Sequence, residues 1–387
     1  TSWASASSGI RNLLCQAAGV LGSNVYSGTW GAGVNVTTDN GSTWVQVNNG
    51  LGNSIVSSFA VIGSSLFAGT QGGIFVTTNN GSSWSLSNSG LTDNQVYCLL
   101  VNGSNFYAGT GSKVFLSTNN GLSWTNISNG LPLYPVYSLA WVNGNLIAGT
   151  WGQGAHLSTN NGGSWNPINN GLTNNIVMTL AVDGNNVLAG TTQGVFLTTN
   201  YGTSWTLSSN GLTTLYTLAL YNAGPAIFAG SWGGGVFMTT SHGASWTSVS
   251  TGLTNPDDRA FILAGNDLYV AAVGGVWKRP LSQMVGIHEI GSNVPDKFEL
   301  YQNYPNPFNP VTKIRFDFPL LEGVRGMISS LTIYDVLGRQ MEILVTQQLQ
   351  PGSYEVEWDG SNYSSGIYFY ELKSGDFSQT KKMLMIK

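Results

Sequence analysis

Three tryptophans in glycine-rich turns offer the clearest binding chemistry in this sequence. Trp30, Trp151 and Trp232 each follow a Gly-Thr or Gly-Ser pair and precede a Gly-x-Gly. The chain repeats every 40 or 41 residues, and these turns belong to the three 41-residue copies. Because an inserted residue pushes a turn outward, we predict that the three indoles surround one mouth as exposed platforms, which stack on sugars or anchor proteins. The alternative is that they fold down as packing.

Charged side chains are scarce in the first part of the chain. Residues 1–284 contain 11 Asp, Glu, Lys and Arg residues, residues 285–387 contain 21, and the first Glu is Glu289. Six of the 11 lie in connections predicted to share the tryptophan-bearing face. We therefore include them among the candidate ligand-binding residues: Arg11, Asp93, Lys113, Asp257, Asp258 and Arg259.

Side chains for catalysis or metal binding form no recognisable site. A carboxylate pair for glycoside hydrolysis would have to join Asp93 to Asp257 or Asp258. Cys15 and Cys98 lack the paired spacing of a zinc or redox motif, so we expect buried free thiols, with a disulfide between repeats as the alternative. Three histidines also lack ligand spacing: His156, His242 and His288. We expect no metal and no cofactor.

The overall charge and hydropathy exclude several classes of partner. The net charge is −4 without basic clusters, so we expect no nucleic acid, because phosphate binding needs rows of Lys and Arg. No apolar run approaches the roughly 18 residues of a membrane-spanning helix, and we expect no transmembrane segment. The polar start TSWASASSGI lacks a signal-peptide layout, so we expect that any export signal has already been removed.

An eight-residue motif recurs six times and sets the period of the chain. Its copies are TTDNGSTW (37–44), TTNNGSSW (77–84), STNNGLSW (117–124), STNNGGSW (158–165), TTNYGTSW (198–205) and TTSHGASW (239–246), and a remnant ends at Trp3. Between the copies, short apolar runs alternate with Asn, Gly and Ser clusters, which indicates four antiparallel strands per repeat. Such units form the blades of a β-propeller.

The two ends of the repeat region predict the number of blades. Six complete units precede a unit with only three strands, and residues 1–8 look like its missing fourth strand. We therefore predict an all-β fold with a seven-bladed β-propeller at residues 1–283, closed by its N-terminal strand. The repeated motifs are expected on one face of the ring and the tryptophan-bearing turns on the other.

The repeated motif resembles the Asp-box of the sialidase-type (BNR) repeat. The resemblance implies a structural role, in which an Asp or Asn bonds the backbone of the turn and the Trp caps the fold. The residues concerned are Asp39, Trp44, Asn79, Trp84, Asn119, Trp124, Asn160, Trp165, Asn200, Trp205 and Trp246. In the sixth copy Ser241 replaces the Asp or Asn. Sialidases also use three arginines, an acid/base Asp and a Tyr activated by Glu, and the lack of Glu before Glu289 excludes that activity.

The tail has a different pattern. In residues 301–387, alternating runs such as TKIRFDF, YEVEW and IYFYELK predict a small immunoglobulin-like β-sandwich of six or seven strands. Residues 284–300 are assigned to a linker, because the composition changes there.

Five ordered motifs make the tail resemble the type A C-terminal sorting domain of type IX secretion cargo. They are YPNPFNP (304–310), IYDVLGR (333–339), PGSYEVEWDG (351–360), SGIYFYEL (365–372) and KKMLMIK (381–387). The resemblance implies recognition by the type IX secretion machinery, export, and then release or attachment at the cell surface. An ordinary immunoglobulin-like accessory domain is the alternative.

These patterns predict a secreted or cell-surface protein that binds a glycan or another protein through the tryptophan-bearing face, without catalysis. A second hypothesis is a self-assembling surface layer or filament, because a nearly uncharged exterior does little to keep copies apart. A third is glycoside hydrolysis at the carboxylate pair named above.

Overall fold

The structure is a computed structural model of the 387-residue chain, and it describes residues 2–254, 257–285, 287–291, 295–319, 327–349, 351–361 and 363–387. Within these ranges the regular structure is β-strand, apart from a 3-10 turn at Leu281–Gln283. No helix there is long and apolar enough to span a membrane. The chain divides into two compact units, Thr1–Arg279 and Pro280–Lys387. The all-β class predicted from the sequence is confirmed.

In its described residues, the first unit contains seven four-stranded antiparallel sheets, named sheets 1 to 7. Strand β1 is Ala4–Ser5. Sheet 1 contains β2 (Cys15–Leu21), β3 (Asn24–Thr29), β4 (Val34–Thr37) and β5 (Val45–Gln46); sheet 2, β6 (Val56–Ile62), β7 (Ser65–Thr70), β8 (Gly73–Thr77) and β9 (Ser85–Leu86); sheet 3, β10 (Val96–Asn102), β11 (Asn105–Thr110), β12 (Val114–Ser117) and β13 (Thr125–Asn126); sheet 4, β14 (Val136–Val142), β15 (Asn145–Thr150), β16 (Gly154–Ser158) and β17 (Asn166–Pro167); sheet 5, β18 (Val177–Asp183), β19 (Asn186–Thr191), β20 (Gly194–Thr198) and β21 (Thr206–Leu207); sheet 6, β22 (Thr217–Asn222), β23 (Ile227–Ser231), β24 (Gly235–Thr239) and β25 (Thr247–Ser248); and sheet 7, β26 (Asp258–Ala264), β27 (Asp267–Ala272), β28 (Gly275–Pro280) and β1.

Hydrophobicity decides the place of each strand within its sheet. In sheet 4, β15 is buried from Leu146 to Thr150, whereas both residues of β17 are exposed. The core lies between neighbouring sheets: Tyr107 of sheet 3, for example, shares a cluster with Val136 of sheet 4. The first strands of successive sheets also pack against one another, and that of sheet 7 packs against that of sheet 1. The short fourth strands are therefore outermost.

The tryptophan of each repeated motif bonds its sheet to the preceding one. Its indole N–H donates to a backbone carbonyl there, as Trp124 does to Ser87 at 2.8 Å. The complete set of donors and acceptors is Trp44 to Ala6, Trp84 to Val47, Trp124 to Ser87, Trp165 to Ile127, Trp205 to Ile168, Trp246 to Ser208 and Trp3 to Val249. Because sheet 1 is bonded to sheet 7 as well as to sheet 2, the seven sheets form a closed cycle of neighbours.

The N-terminal residues complete the last sheet. Ala4 pairs with Lys278 and Ser5 with Trp277, so β1 is the fourth strand of sheet 7. Trp3 is as well buried as the motif tryptophans later in the chain. The pairing joins the two ends of the first unit non-covalently and covers the edge of β28 that would otherwise be open.

The second unit consists of two four-stranded sheets with one shared core. Their strands are β29 (Ile287–Gly291), β30 (Glu299–Leu300), β31 (Val311–Phe318), β32 (Met327–Tyr334), β33 (Gln340–Leu349), β34 (Gly352–Asp359), β35 (Gly366–Ser374) and β36 (Phe377–Met385), in the orders β29-β34-β31-β30 and β33-β32-β35-β36. Alternate residues of both sheets point into the core, including Phe316 and Trp358 from one and Ile333, Tyr370 and Met383 from the other.

The segment assigned to a linker contributes two of these strands. Ile287 pairs with Val356, and Glu299 pairs with Asp317, so residues 284–300 carry edge strands of the second unit. Residues 301–387 contribute six strands, within the predicted six or seven, and the segment assigned to a linker brings the second unit to eight strands among its described residues. The difference arises because these short strands are fixed by partners far along the chain, which composition does not reveal.

Candidate binding site

A cavity of about 330 Å³ opens at one end of the first unit, and all seven sheets contribute to its wall. Each sheet supplies the second residue of its first strand: Gln16, Ser57, Tyr97, Tyr137, Met178, Leu218 and Arg259. We call these seven side chains the bulge ring. Above the bulge ring, the wall is completed by three indoles, one amide and one phenol ring: Trp30, Trp151, Trp232, Gln71 and Tyr216.

A β-bulge aims each side chain of the bulge ring into the cavity. In sheet 3 the strand pairing shifts between Val96 and Cys98, which leaves Tyr97 unpaired. The same shift occurs at the equivalent point of every other sheet in the first unit. A bulge inserts one residue and redirects its side chain. The repeat therefore presents one position per sheet to the cavity, whatever residue occupies it.

The three turn tryptophans lie at the mouth of this one cavity. Trp30 and Trp232 are 49% exposed and Trp151 is 37% exposed. Their backbones are fixed, because the Trp151 N–H donates to the Pro135 carbonyl at 2.9 Å and the Trp232 N–H donates to that of Tyr216 at 2.9 Å. The structure thus brings together the three residues that the sequence grouped, with more than a third of each indole surface open.

Aromatic contacts hold two of the indoles against tyrosines. The Tyr137 ring lies 5.3 Å from Trp151 and 4.6 Å from Tyr97, between centroids. On another part of the wall, Tyr216 stacks on Trp232 with centroids 5.5 Å apart and planes 28° apart. Offset ring pairs of this kind restrict side-chain rotation. The exposed indole faces are therefore pre-positioned.

The only charged side chain among the described lining residues is Arg259. Its guanidinium carbon lies 5.5 Å from the centre of the Trp232 ring, a cation–π distance. Burial, and then proximity to Tyr97 and Tyr216, raises the pKa of Tyr137 to about 12. Burial and the nearby Asp93 carboxylate raise the pKa of Tyr97. Both hydroxyls therefore remain protonated donors at neutral pH, and the described wall carries one positive charge.

The other predicted charged residues do not line the cavity. Arg11 is exposed outside it. Lys113 donates to the Thr92 hydroxyl at 3.1 Å. Asp257 accepts the Gly233 N–H at 2.7 Å, which fixes the turn that carries Trp232. These contacts give Lys113 and Asp257 a local structural role.

Asp93 also serves its own turn. Its carboxylate accepts hydrogen bonds from the Thr110 hydroxyl at 3.0 Å and from the Ser112 hydroxyl at 2.9 Å. It further accepts the backbone N–H two residues later, and three asparagines do the same at equivalent points of other sheets: Asn12, Asn53 and Asn174. Asp93 is thus one of four side chains that form the same Asx turn.

Asp258 is fully buried between sheets 6 and 7. Its side chain packs against Gly230 of sheet 6. Asp258 is the first residue of the first strand of its sheet, and the equivalent residue in three other sheets is Val56, Val96 or Val136. Within the described part of the chain, neither carboxyl oxygen has a hydrogen-bond partner. Burial, and secondarily Asp257, raises its pKa to about 8. Asp258 therefore faces the interior of the protein, away from any ligand.

At the other end of the sheets, the repeated motifs form turns in which the polar side chains hydrogen-bond within the turn. Asp39 accepts the Thr43 N–H at 2.9 Å and the Thr43 hydroxyl at 2.6 Å, and the latter bond is the main cause that lowers its pKa to about 2. The next two residues, Asn40 and Gly41, have positive φ angles of 55° and 80°, which Asn tolerates and Gly adopts freely. The equivalents Asn79, Asn119, Asn160 and Asn200 each accept the matching N–H of their turns.

Possible metal and redox groups are dispersed. Among the described residues, no group of three or more His, Cys, Asp or Glu side chains is placed to hold a metal ion. Cys15 and Cys98 are free thiols, and burial raises the pKa of Cys15 to about 11 and that of Cys98 to about 12. His156 is buried in sheet 4, where burial lowers its pKa, and His242 bonds Asp183. His288 lies in β29.

Six members of the bulge ring, and also Gln71 and Tyr216, were not predicted from the sequence. The ring positions recur at the same 40- or 41-residue spacing as the motif tryptophans, and always follow the first residue of an apolar strand. That spacing is the feature of the sequence that could have identified the bulge ring. Charges and inserted turns do not reveal these positions, because most of them are uncharged and lie within strands.

Comparison with known proteins identifies the tail. Residues 302–387 match the family of the secretion system C-terminal sorting domain. This confirms the type IX sorting domain predicted from the sequence and implies interaction with the type IX machinery. The protein is therefore secreted or attached to the cell surface, as predicted. No curated protein matches the chain in sequence.

Solved structures resemble the fold of the chain at low identity. The extracellular domain of a putative one-component system from B. thetaiotaomicron is 12% identical, with a TM-score of 0.58 over 96% of this chain and 57% of that domain. The WD40 β-propeller domain of Doa1 is 16% identical, with a TM-score of 0.59 over 72% of this chain and 96% of that domain. YCF48 bound to D1 peptide is 13% identical, with a TM-score of 0.56 over 72% and 98%. The sheets of the first unit are thus propeller-like, and the chain spans little more than half of the first relative.

Proposed function

We propose that the first unit is a seven-bladed Asp-box β-propeller that binds a glycan at its tryptophan-bearing mouth, outside the cell and without catalysis. The second unit is an immunoglobulin-like sorting sandwich that brings it there. The closed cycle of seven sheets and the Asp39-type turns support the propeller assignment. The alternating cores of the two tail sheets support the sandwich.

One observation carries the binding proposal. Trp30, Trp151 and Trp232 keep more than a third of their surface exposed while lining a single cavity with three tyrosines. Burying large apolar rings is favourable by about 25 cal/mol per Å², so open indoles in a fixed concave wall favour a ligand that covers them. Sugar rings present flat C–H faces of matching size, and the tyrosine hydroxyls and two glutamines supply hydrogen-bond partners.

The carboxylates support a non-catalytic role. Glycoside hydrolysis needs two carboxyl groups flanking the scissile bond. Asp93 and Asp257 hold turns, and Asp258 is enclosed between sheets, so none of the three candidates faces the cavity. We therefore expect the protein to bind polysaccharides without releasing products.

A glycan array tests the proposal. The full chain is screened beside a variant with Trp30, Trp151 and Trp232 all changed to Ala, and beside a matched control, Leu122→Ala. Leu122 is 77% exposed but lies in a repeated motif at the other end of the sheets. We expect a glycan signal that the triple variant loses and the control keeps, with melting temperatures showing that both are folded. Equal binding by wild type and triple variant would reject the mouth as the binding site.

A second candidate, docking of a protein partner, is favoured by an exposed apolar rim. The connections that lead into the first strands leave five large apolar side chains exposed: Leu13, Leu14, Leu133, Tyr134 and Leu215. They precede sheets 1, 4 and 6, at the end of the first unit that carries the cavity. Apolar and aromatic side chains are the ones that the cores of protein interfaces bury. If the full chain binds no glycan on the array, that result favours docking of a protein partner. Self-association belongs to the same candidate, and a monomer at high concentration in sizing experiments argues against it.

A further inference from the structure

The mouth combines stacking surfaces with one cation that the described residues leave unpaired. Arg259 occupies the bulge ring position of sheet 7, where the other six sheets place uncharged side chains. Across the described residues, the Arg259 guanidinium forms neither a hydrogen bond nor an ion pair, and its specific contact is the Trp232 ring at 5.5 Å. An Arg head group with five N–H donors is thus available inside a concave site.

None of the three neighbouring carboxylates forms an ion pair with this cation among the described residues. Asp257 accepts the Gly233 N–H, and Asp258 is enclosed between sheets 6 and 7. Asp93 belongs to sheet 3, on the far side of the ring of sheets, and its oxygens are engaged by Thr110 and Ser112. The raised pKa values of Tyr137 and Tyr97 keep these two hydroxyls uncharged at neutral pH. The described lining therefore contains one cationic side chain and no anionic one, which favours an anionic group on the ligand.

Arg259 and the size of the cavity fit a small ligand that carries a carboxylate. The cation–π contact keeps the guanidinium beside Trp232. The planar fork of an Arg side chain is itself pre-organised, so less freedom is lost for each hydrogen bond that it forms. A planar fork of N–H donors matches the two oxygens of a carboxylate. A cavity of about 330 Å³ lies at the small end of the range of ligand sites, which suits a terminal sugar unit.

We propose that the mouth binds an acidic sugar of the uronic acid class, with Arg259 holding the carboxylate and the indoles of Trp30, Trp151 and Trp232 covering the ring faces. This inference rests on the proposed glycan-binding function and adds the charge of the ligand to it. Arg259 is then the residue that determines specificity, whereas the tryptophans contribute affinity for acidic and neutral sugars alike.

The test compares each acid with its own neutral ester. Trisaccharides of galacturonic, glucuronic and mannuronic acid are titrated into the full chain by calorimetry, together with their methyl esters, which keep the ring and remove the charge. We expect at least one acid to bind about 10- to 100-fold more tightly than its ester, the range for hydrogen bonds to a charged group. Added salt should weaken binding of the acid more than that of the ester.

Variants assign the effect to one side chain. Arg259→Gln should lower affinity for the acid by the same roughly 10- to 100-fold factor and leave the ester unchanged, while Arg259→Lys should restore part of the difference because it keeps charge but loses the fork. Arg11→Gln is the matched control, since Arg11 is an exposed arginine outside the cavity. Melting temperatures establish that each variant is folded.

Failure of this inference can be told apart from failure of glycan binding itself. If acids and esters bind equally, or if Arg259→Gln leaves their ratio unchanged, the carboxylate inference is wrong and glycan binding stands. If only neutral glycans bind, the same conclusion follows. If no glycan of any charge binds, both the carboxylate inference and the proposed glycan-binding function are wrong.

Discussion

The two kinds of turn in the first unit lie at opposite ends of the same sheets and differ in how they vary. The motif turns repeat one bonding pattern: Asp39 and Asn119 each accept the N–H of the residue four positions later, at 2.9 Å. The turns at the mouth vary in length and in side chain: Trp30 and Trp232 lie in turns that are one residue longer than the turn that carries Gln71 at the equivalent position.

This difference shows where the repeat is structural and where it is free for function. A motif turn satisfies its own polar groups, and its Trp is almost fully buried, so the Trp is not accessible to a ligand. At the mouth, backbone bonds hold the turn, as between the Trp151 N–H and the Pro135 carbonyl. The side chain is therefore free to vary without loss of the fold.

The largest expected effect concerns Asp258, the one carboxyl at a position that is Val in four other sheets. Its folded pKa of about 8 is raised above the unfolded value of about 3.9, so its contribution to stability is fully present below pH 4 and is lost as pH rises towards 8. We expect the free energy of unfolding to fall by on the order of 5 kcal/mol over that interval.

Urea unfolding of wild type and Asp258→Asn across this pH range measures the effect. The Asn variant should lose this pH dependence and be more stable than wild type at pH 8. Asp93→Asn is the matched control, because asparagines already occupy the equivalent Asx turns, and it should keep the wild-type profile. Parallel pH profiles for wild type and Asp258→Asn would show that the carboxyl is solvated.

The next largest effect separates the two classes of tryptophan directly. Trp124 is 4% exposed, donates to Ser87 and packs 4.9 Å from Phe106, so Trp124→Ala should cost about 3–5 kcal/mol of stability. Trp151 at the mouth is far more exposed, and Trp151→Ala should cost only about 1 kcal/mol while weakening glycan binding. Urea unfolding and binding are measured on both variants. Equal losses of stability would contradict the division into structural and ligand-facing indoles.

Much of the fold could be predicted from the sequence, because the relevant interactions are local or periodic. Turn residues and alternating apolar runs recur with the repeat, so strand number and the grouping of Trp30, Trp151 and Trp232 follow from spacing. The strands of residues 284–300 could not be predicted in this way: Ile287 pairs with Val356, and that register depends on a distant partner.

The site was predictable only in part, for a related reason. Tyr97 and Tyr137 face the cavity because of a shift in strand register, and a pattern of apolar and polar residues does not encode such a shift. Charge was also a poor guide, since Asp93 serves a turn, and Asp258 is buried where solvent exposure was expected. Arg259 alone among the six charged candidates lines the cavity.

The smallest expected effect concerns the one motif turn that departs from the pattern. Ser241 accepts the Ser245 N–H at 3.1 Å with a single hydroxyl, which also lies 3.3 Å from the Ser245 hydroxyl. In sheet 5, Asn200 divides these contacts between two atoms at 2.9 and 3.0 Å. Ser241→Asn should therefore add about 0.5–1 kcal/mol to the free energy of unfolding, the usual net value of one hydrogen bond.

The reciprocal change provides the control. Asn200→Ser should remove a similar amount in the neighbouring sheet, and neither change should alter binding at the mouth, because both lie at the other end of the sheets. Denaturation midpoints at a common m-value are sufficient to compare the two. Opposite signs of similar size would show that each motif turn contributes independently to stability. A loss in both variants would mean instead that the sixth turn is adapted to serine, through the adjoining His242 and its bond to Asp183.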